Sequence, residues 1–198
     1  MTGSAIWVPL DRAAVQVDSD AAAAAAGATA YNRPEDVETA DSTGNSRGGQ
    51  ALFVAVTGDD TVYKVDLRQP GGGREHLTVA VSAYVRAGVN APADFDSPDN
   101  LALDHNGNLY ITEDPGGTAP AKTRGDDIWV AVPGRGGAPT AEETVRFASI
   151  TDCNAEPTGI YFSKGGNTLY VNIQHRGGDG ADIAYAVSEA DQGNQPTR

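Results

Sequence analysis

Cysteine is nearly missing from this chain: Cys153 stands alone among 198 residues. One thiol excludes an intrachain disulfide and any zinc site built on several cysteines. Long apolar runs are missing too. The longest bland stretch is the hexa-alanine from Ala21 to Ala26, far short of the ~20 residues of a membrane-spanning helix. Positive charge is scarce, with 14 Lys and Arg against 27 Asp and Glu, a net charge of -13. A pI near 4.4 suits neither a nucleic-acid backbone nor an anionic membrane surface, since both attract clustered Lys and Arg. Neither is an expected partner. A Walker loop, a dinucleotide fingerprint and a His-Glu-x-x-His pair do not occur, which leaves nucleotide-dependent and zinc-protease chemistry without support. Met1 leads directly into Thr-Gly-Ser-Ala-Ile-Trp, with no basic, apolar or twin-arginine segment, so no export signal is expected.

Gly (24) and Pro (11) are plentiful, and they punctuate short runs of β-branched and aromatic residues. That pattern predicts many turns and short strands. Three segments repeat one plan. The first opens at Arg33-Pro34-Glu35-Asp36 and runs through Ala51 to Val56 and Thr61 to Leu67. The second opens at Ser97-Pro98-Asp99-Asn100, turns at Asn106-Gly107, and continues through Asn108 to Thr112 and Asp127 to Val132. The third opens at Glu156-Pro157-Thr158-Gly159, turns at Gly165-Gly166, and continues through Thr168 to Asn172 and Asp182 to Val187. Asn-Gly and Gly-Gly turns between such runs are hairpin signals, because they tolerate positive φ. A fourth strand follows in the first two units, over His76 to Val81 and Thr144 to Phe147.

Tandem units of about four antiparallel strands predict an all-β propeller. The expected organisation is a partial propeller over residues 1–188, with blades at roughly 30–90, 95–150 and 154–188, and a polar tail over 189–198. The excess length of each unit falls in Gly-rich loops at 71–74, 116–126 and 134–140. Three blades do not close a ring, which typically takes ~4–8, so a fragment or a partner chain is expected. Before the first blade, Asp18 is placed to cap a short helical insertion over Ser19 to Ala26 that stops at Gly27.

In a propeller the first strand of each blade lines the central channel, so the openings of all three units face one funnel. They carry Glu35 and Asp36, Asp99 and Asn100, and Glu156, with Glu113 and Asp114 after the second strand of the middle unit. Carboxylates and amides converging from separate blades suit calcium or hard iron. Asp36 and Asp99 serve equally as turn caps. Glu is a poor turn residue, so Glu35, Glu113 and Glu156 read as functional. Asp104 with Asn106 and Asn108 reads as a hairpin turn, lacking the closing Glu of a calcium loop. Arg33 is either a salt-bridge partner of these acids or a fork for phosphate. His175 reads as a structural hydrogen-bonding group ahead of a ligand, and Cys153 as a small buried residue ahead of a soft iron ligand.

These openings, with Glu113-Asp114, Asn172-Ile173-Gln174-His175 and the early Trp7-Val8-Pro9-Leu10, resemble the PhoX-type alkaline phosphatases over about residues 5–188. The resemblance implies a six-bladed propeller whose funnel holds iron and calcium and hydrolyses phosphomonoesters. It implies metal ligation by Glu35, Asn100, Glu113 and Glu156, a phosphate contact from Arg33, and a periplasmic or secreted location. The family's Trp-Gly-Thr-Trp-Leu-x-Cys-Glu-Glu stretch has no counterpart here, so the chain matches the carboxy-terminal half of such an enzyme. Two other readings stand beside the phosphatase. One is a non-catalytic half that self-associates or pairs with the missing half, and the other is a calcium-dependent, lactonase-like propeller. Pro98-Asp99-Asn100 and Glu156-Pro157-Thr158-Gly159 favour the phosphatase.

Overall fold

The structure, a computed structural model, describes residues 2–40, 51–67, 78–114, 125–176 and 181–188. Each of the three repeats seen in the sequence becomes one antiparallel sheet. The first unit forms β2 (Pro34–Ala40), β3 (Ala51–Val56), β4 (Thr61–Asp66) and β5 (Thr78–Arg86). The second forms β6 (Pro98–Leu103), β7 (Leu109–Glu113), β8 (Asp127–Pro133) and β9 (Ala141–Ser149). The third forms β10 (Glu156–Phe162), β11 (Thr168–Arg176) and β12 (Ala181–Ser188). Within each of these three units the strands neighbour one another in sequence order. The tail over 189–198 and the Gly-rich loops at 71–74 and 116–124 lie outside the described residues.

The amino-terminal segment departs from the expected single helix. A strand, β1 (Gly3–Ile6), pairs antiparallel with β5 and makes sheet one five-stranded, in the order β1-β5-β4-β3-β2. Two short helices follow, α1 (Arg12–Val17) and α2 (Ser19–Ala25). Asp11 caps α1 by accepting the Ala14 N–H, and Asp18 caps α2 by accepting the Ala21 N–H, both at 2.9 Å. Such caps satisfy amide donors that the first turn leaves orphaned. Neither helix buries a residue, so its persistence rests on those caps and on the helix propensity of alanine.

The first strands β2, β6 and β10 pack side by side, with β6 in the middle. Sheet two is therefore covered on both faces. Leu101, Leu109, Ile111 and Trp129 join Phe53, Val62, Tyr84 and Val85 of sheet one, around Phe95 from the connecting loop. Their chain neighbours Ala102 and Ile128 point the other way, against Ile160, Leu169, Val171 and Ile173 of sheet three. Successive strand residues face opposite sides, and burial on both sides explains the unbroken apolar run Ile128-Trp129-Val130-Ala131. Each fully buried Leu or Ile contributes roughly 2 kcal/mol.

The three inner hairpins share one irregularity. Four residues on β2, from Pro34 to Val37, oppose the three from Val56 to Val54 on β3. The same extra residue appears between Pro98 and Leu101 on β6 and between Thr158 and Tyr161 on β10. A bulge of this kind bends the strand and re-aims adjacent side chains. It falls where the sequence places Glu35 and Asp36, and Asp99 and Asn100.

Candidate functional site

The residues directly before the opening prolines, Arg33 and Ser97, sit at φ 59° and 43°. Left-handed backbone is uncommon outside glycine, and strain of this kind collects at functional sites. Each is pinned in the same way. The Thr57 N–H donates to the Arg33 carbonyl at 3.0 Å, and the Asp114 N–H donates to the Ser97 carbonyl at 2.9 Å. The backbone so held carries the Arg33 side chain across the boundary between sheets one and two. Its Nε donates to Glu35 Oε1 at 3.1 Å and its Nη2 to Asp114 Oδ2 at 3.0 Å. Those partners, Asp114 first, hold the guanidinium pKa above its ordinary value. About half of the Arg33 side chain, 46%, stays exposed.

Five carboxylates gather where the inner strands begin, Glu35, Asp36, Asp99, Asp114 and Glu156, with Arg33 in reach of Glu35, Asp99 and Asp114. Asp99 is buried, and burial together with repulsion from Asp114, Glu35 and Asp36 pushes it up to about 6, against the pull of Arg33. Glu156 is pushed up to about 6 by burial, then by Asp114 and Asp99. Gln174, whose Nε2 donates to Glu156 Oε1 at 2.5 Å, and His175 pull it back. The starting ends of β2, β6 and β10 thus place acids of all three sheets within electrostatic reach of one another. Like charges so placed favour proton uptake or a cation.

Glu113 does not belong to that cluster. Its side chain is buried in sheet two, where Oε1 accepts from the Asp96 N–H at 3.1 Å and Trp129 Nε1 at 2.7 Å, and Oε2 accepts from the Asp127 N–H at 3.0 Å. Burial pushes it up to about 7 against those hydrogen bonds. Asn100 is committed as well: its Oδ1 accepts the Thr158 hydroxyl and the Gly159 N–H, each at 2.7 Å. Sequence reasoning gave Asp114 less weight than Glu113, although Asp114 is the one that meets Arg33. The signal was the strand alternation, because Leu109, Ile111 and Glu113 share a face and all three are buried.

The remaining candidates fall as follows. Asp104 Oδ1 accepts the Asn106 and Asn108 amides, both at 2.8 Å, with Gly107 at φ 85°, so this segment is the expected turn. Cys153 is half-buried rather than buried. His175 lies at φ 61° beside Glu156. A cavity of about 790 Å³ opens at the far ends of the inner strands, between Ala40, Leu103 and Phe162, and its lining contains none of the acids of the cluster.

The all-oxygen donor set around Arg33 suits calcium in kind. Carboxylates suit hard iron as well, and His175 is the one imidazole beside the set among the described residues. Nor do three or more Asp, Glu, His or Cys side chains close on one point among the described residues. A cation here would need further oxygen ligands.

No curated protein matches the chain. PhoX of Pseudomonas fluorescens, solved in complex with vanadate as a transition state analogue, superposes with a TM-score of 0.67 at 23% identity. The alignment covers 91% of this chain and 38% of that protein, so the present chain spans well under half of its length. The fold of three antiparallel sheets is thus PhoX-like. The family described as alkaline phosphatase PhoX matches residues 1–177, and with nine-tenths of its sequence inside that match the chain belongs to the PhoX family.

Proposed function

We propose that the chain contributes to phosphomonoester hydrolysis as part of a PhoX-type phosphatase, its three sheets being about three blades of a six-bladed propeller. One observation carries this reading. In a chain of that family, Arg33 stands among Glu35, Asp99, Asp114 and Glu156 where the inner strands of three sheets begin. The vanadate seen in the Pseudomonas protein supports it, since vanadate takes the place of a phosphoryl group in flight.

Each residue then has a distinct task. Arg33 uses two of its N–H donors to hold Glu35 and Asp114, and the rest of its guanidinium fork suits two phosphate oxygens. Glu35 and Glu156, with Asp99, would hold calcium. When bound, calcium would screen the phosphate charge and acidify a water near phosphorus. Asn100 and Glu113, whose oxygens are already taken, support the site from behind. On the strength of the family relation, the reading includes a periplasmic or secreted location and a partner that completes the ring, either the rest of a longer chain or a second copy.

Hydrolysis of p-nitrophenyl phosphate tests the reading. We expect turnover that a calcium chelator abolishes and that added calcium restores, with Arg33→Ala lowering kcat/KM on the order of 100-fold or more. Turnover untouched by chelation would sink the role given to calcium. The second reading, a non-catalytic part that binds calcium at most, is favoured by the 38% coverage of the Pseudomonas protein. Activity of the isolated chain overturns it.

A further inference from the structure

A repeated contact ties the three sheets together beside the acid cluster. Asp36, two residues after Pro34, accepts the Leu101 N–H through Oδ2 at 2.9 Å, from sheet one to sheet two. Asn100, two residues after Pro98, accepts the Gly159 N–H and the Thr158 hydroxyl through Oδ1, from sheet two to sheet three. The position two residues after the third proline, Pro157, is Gly159 itself. The contact therefore runs one way and ends where the residue has no side chain. It also begins inside sheet one. The Val37 N–H, in the place that Leu101 holds in the next sheet, is taken by Asp36's own Oδ1 at 2.7 Å.

We infer that Asp36 and Asn100 form an inter-sheet clamp, positioning residues that set the spacing of β2, β6 and β10 and so the distances among the neighbouring acids. The importance of those distances rests on the function proposed above; the clamp itself does not. A side-chain carbonyl oxygen has two lone pairs, and both are used on Asn100 by donors of sheet three. The amide nitrogen has none to give a metal. Asn100 therefore acts as a clamp and not as the metal ligand that the resemblance implies. The motif divides accordingly. In Pro34-Glu35-Asp36 and Pro98-Asp99-Asn100 the acid faces the site and the next residue holds the following sheet, and the bulge lets adjacent side chains diverge in this way. In the third unit the acid, Glu156, precedes Pro157 and the clamp position is glycine.

A double-mutant cycle on the full, calcium-free chain tests the clamp by thermal unfolding. Thr158→Val removes one donor and should lower Tm by about 2–4 °C, the effect of one hydrogen bond in a chain of this size. Asn100→Ala should lower it further, and the double variant should fall no lower than Asn100→Ala alone. Asp36→Asn keeps one accepting oxygen while its NH2 confronts the other N–H, so it should lose clearly less Tm than Asp36→Ala, which should lose several degrees. Additive losses in the cycle, or equal losses for Asp36→Asn and Asp36→Ala, overturn the inference. If Asn100→Ala does not fold, the Asp36 pair decides alone. The readout needs no turnover, so a chain that shows the coupling but hydrolyses no phosphoester would defeat the phosphatase reading and leave the clamp standing.

Discussion

Three donors converge on Glu113 inside sheet two, from the Asp96 and Asp127 backbones and the Trp129 indole. Around them Arg146 stacks over the Trp129 ring, 4.7 Å from its centroid, and donates to Asp127 at 2.8 Å. Removing the carboxylate leaves three donors without their acceptor in a dry site, and each such group costs about 1–3 kcal/mol. Glu113→Ala should therefore destabilise the chain by roughly 3 kcal/mol or more. Glu113→Gln should cost less, because one oxygen still accepts while its NH2 confronts a donor. Urea unfolding followed by Trp129 fluorescence checks the ranking, and equal stability of all three proteins would refute it. Glu113 and Asp114 show how far residue types alone reach. Both are acids at a strand end, yet one continues the buried face of Leu109 and Ile111 and the other has turned out toward Arg33. Reading residue by residue found the acids; reading with a period of two would have separated them.

At the scale of elements, the opening prolines and Gly-bearing turns made the three sheets legible, because each sheet is built from neighbours in sequence and needs only local signals. Strand β1 was not legible. Its four residues, Gly3–Ile6, carry no clear alternation, and they pair with β5 across more than seventy residues of chain. Helix α1 escaped notice for a similar reason, since it buries nothing and so shows no apolar stripe. The bulges were hidden as well, being a property of two strands in register. Gly159 belongs to the third bulge, at φ 53°, and a Cβ there would meet Asn172 Nδ2 at 2.5 Å. Left-handed backbone costs a residue with a Cβ roughly 1–2 kcal/mol, and the overlap adds to that. Gly159→Ala should thus destabilise the chain by about 2 kcal/mol or more. Adding Asn172→Ala should restore only the part due to overlap, a partial rescue that chemical denaturation can resolve. Full rescue would mean that the backbone there is not strained.

The whole molecule carries a net charge of -13, and its acids are not spread evenly: five of them, with Arg33, gather where the inner strands begin. Asp99 and Glu156 are pushed up to about 6 and Glu113 to about 7, from ordinary values of 3.8, 4.5 and 4.5, with burial the first cause in each. The folded chain therefore holds protons that the unfolded chain has already released between about pH 4 and pH 7. A raised acid stabilises the fold below its unfolded value and loses that contribution as pH rises through the folded one. Without metal, stability should fall as pH climbs from about 5 to about 7.5, by on the order of 1 kcal/mol or more for each of buried Asp99 and Glu113 and by less for half-buried Glu156, which solvent screens. Repulsion across the whole chain acts in the same direction. Bound as proposed above, calcium would reverse the electrostatics of Asp99 and Glu156 by supplying the missing positive charge. It would then stabilise the folded state by RT ln(1 + [L]/Kd), provided that the unfolded chain does not bind it. Glu113, closed off among its donors, gains nothing from the cation. Urea midpoints at the two pH values, with and without millimolar calcium, separate these contributions. We expect the midpoint to drop with rising pH, calcium to recover part of the drop, and Glu156→Gln to lose that recovery while flattening the metal-free profile. A midpoint that rises with pH in the absence of metal would mean that the acids around Arg33 are stabilised by their surroundings rather than crowded by one another, and the case for a cation among them would fall.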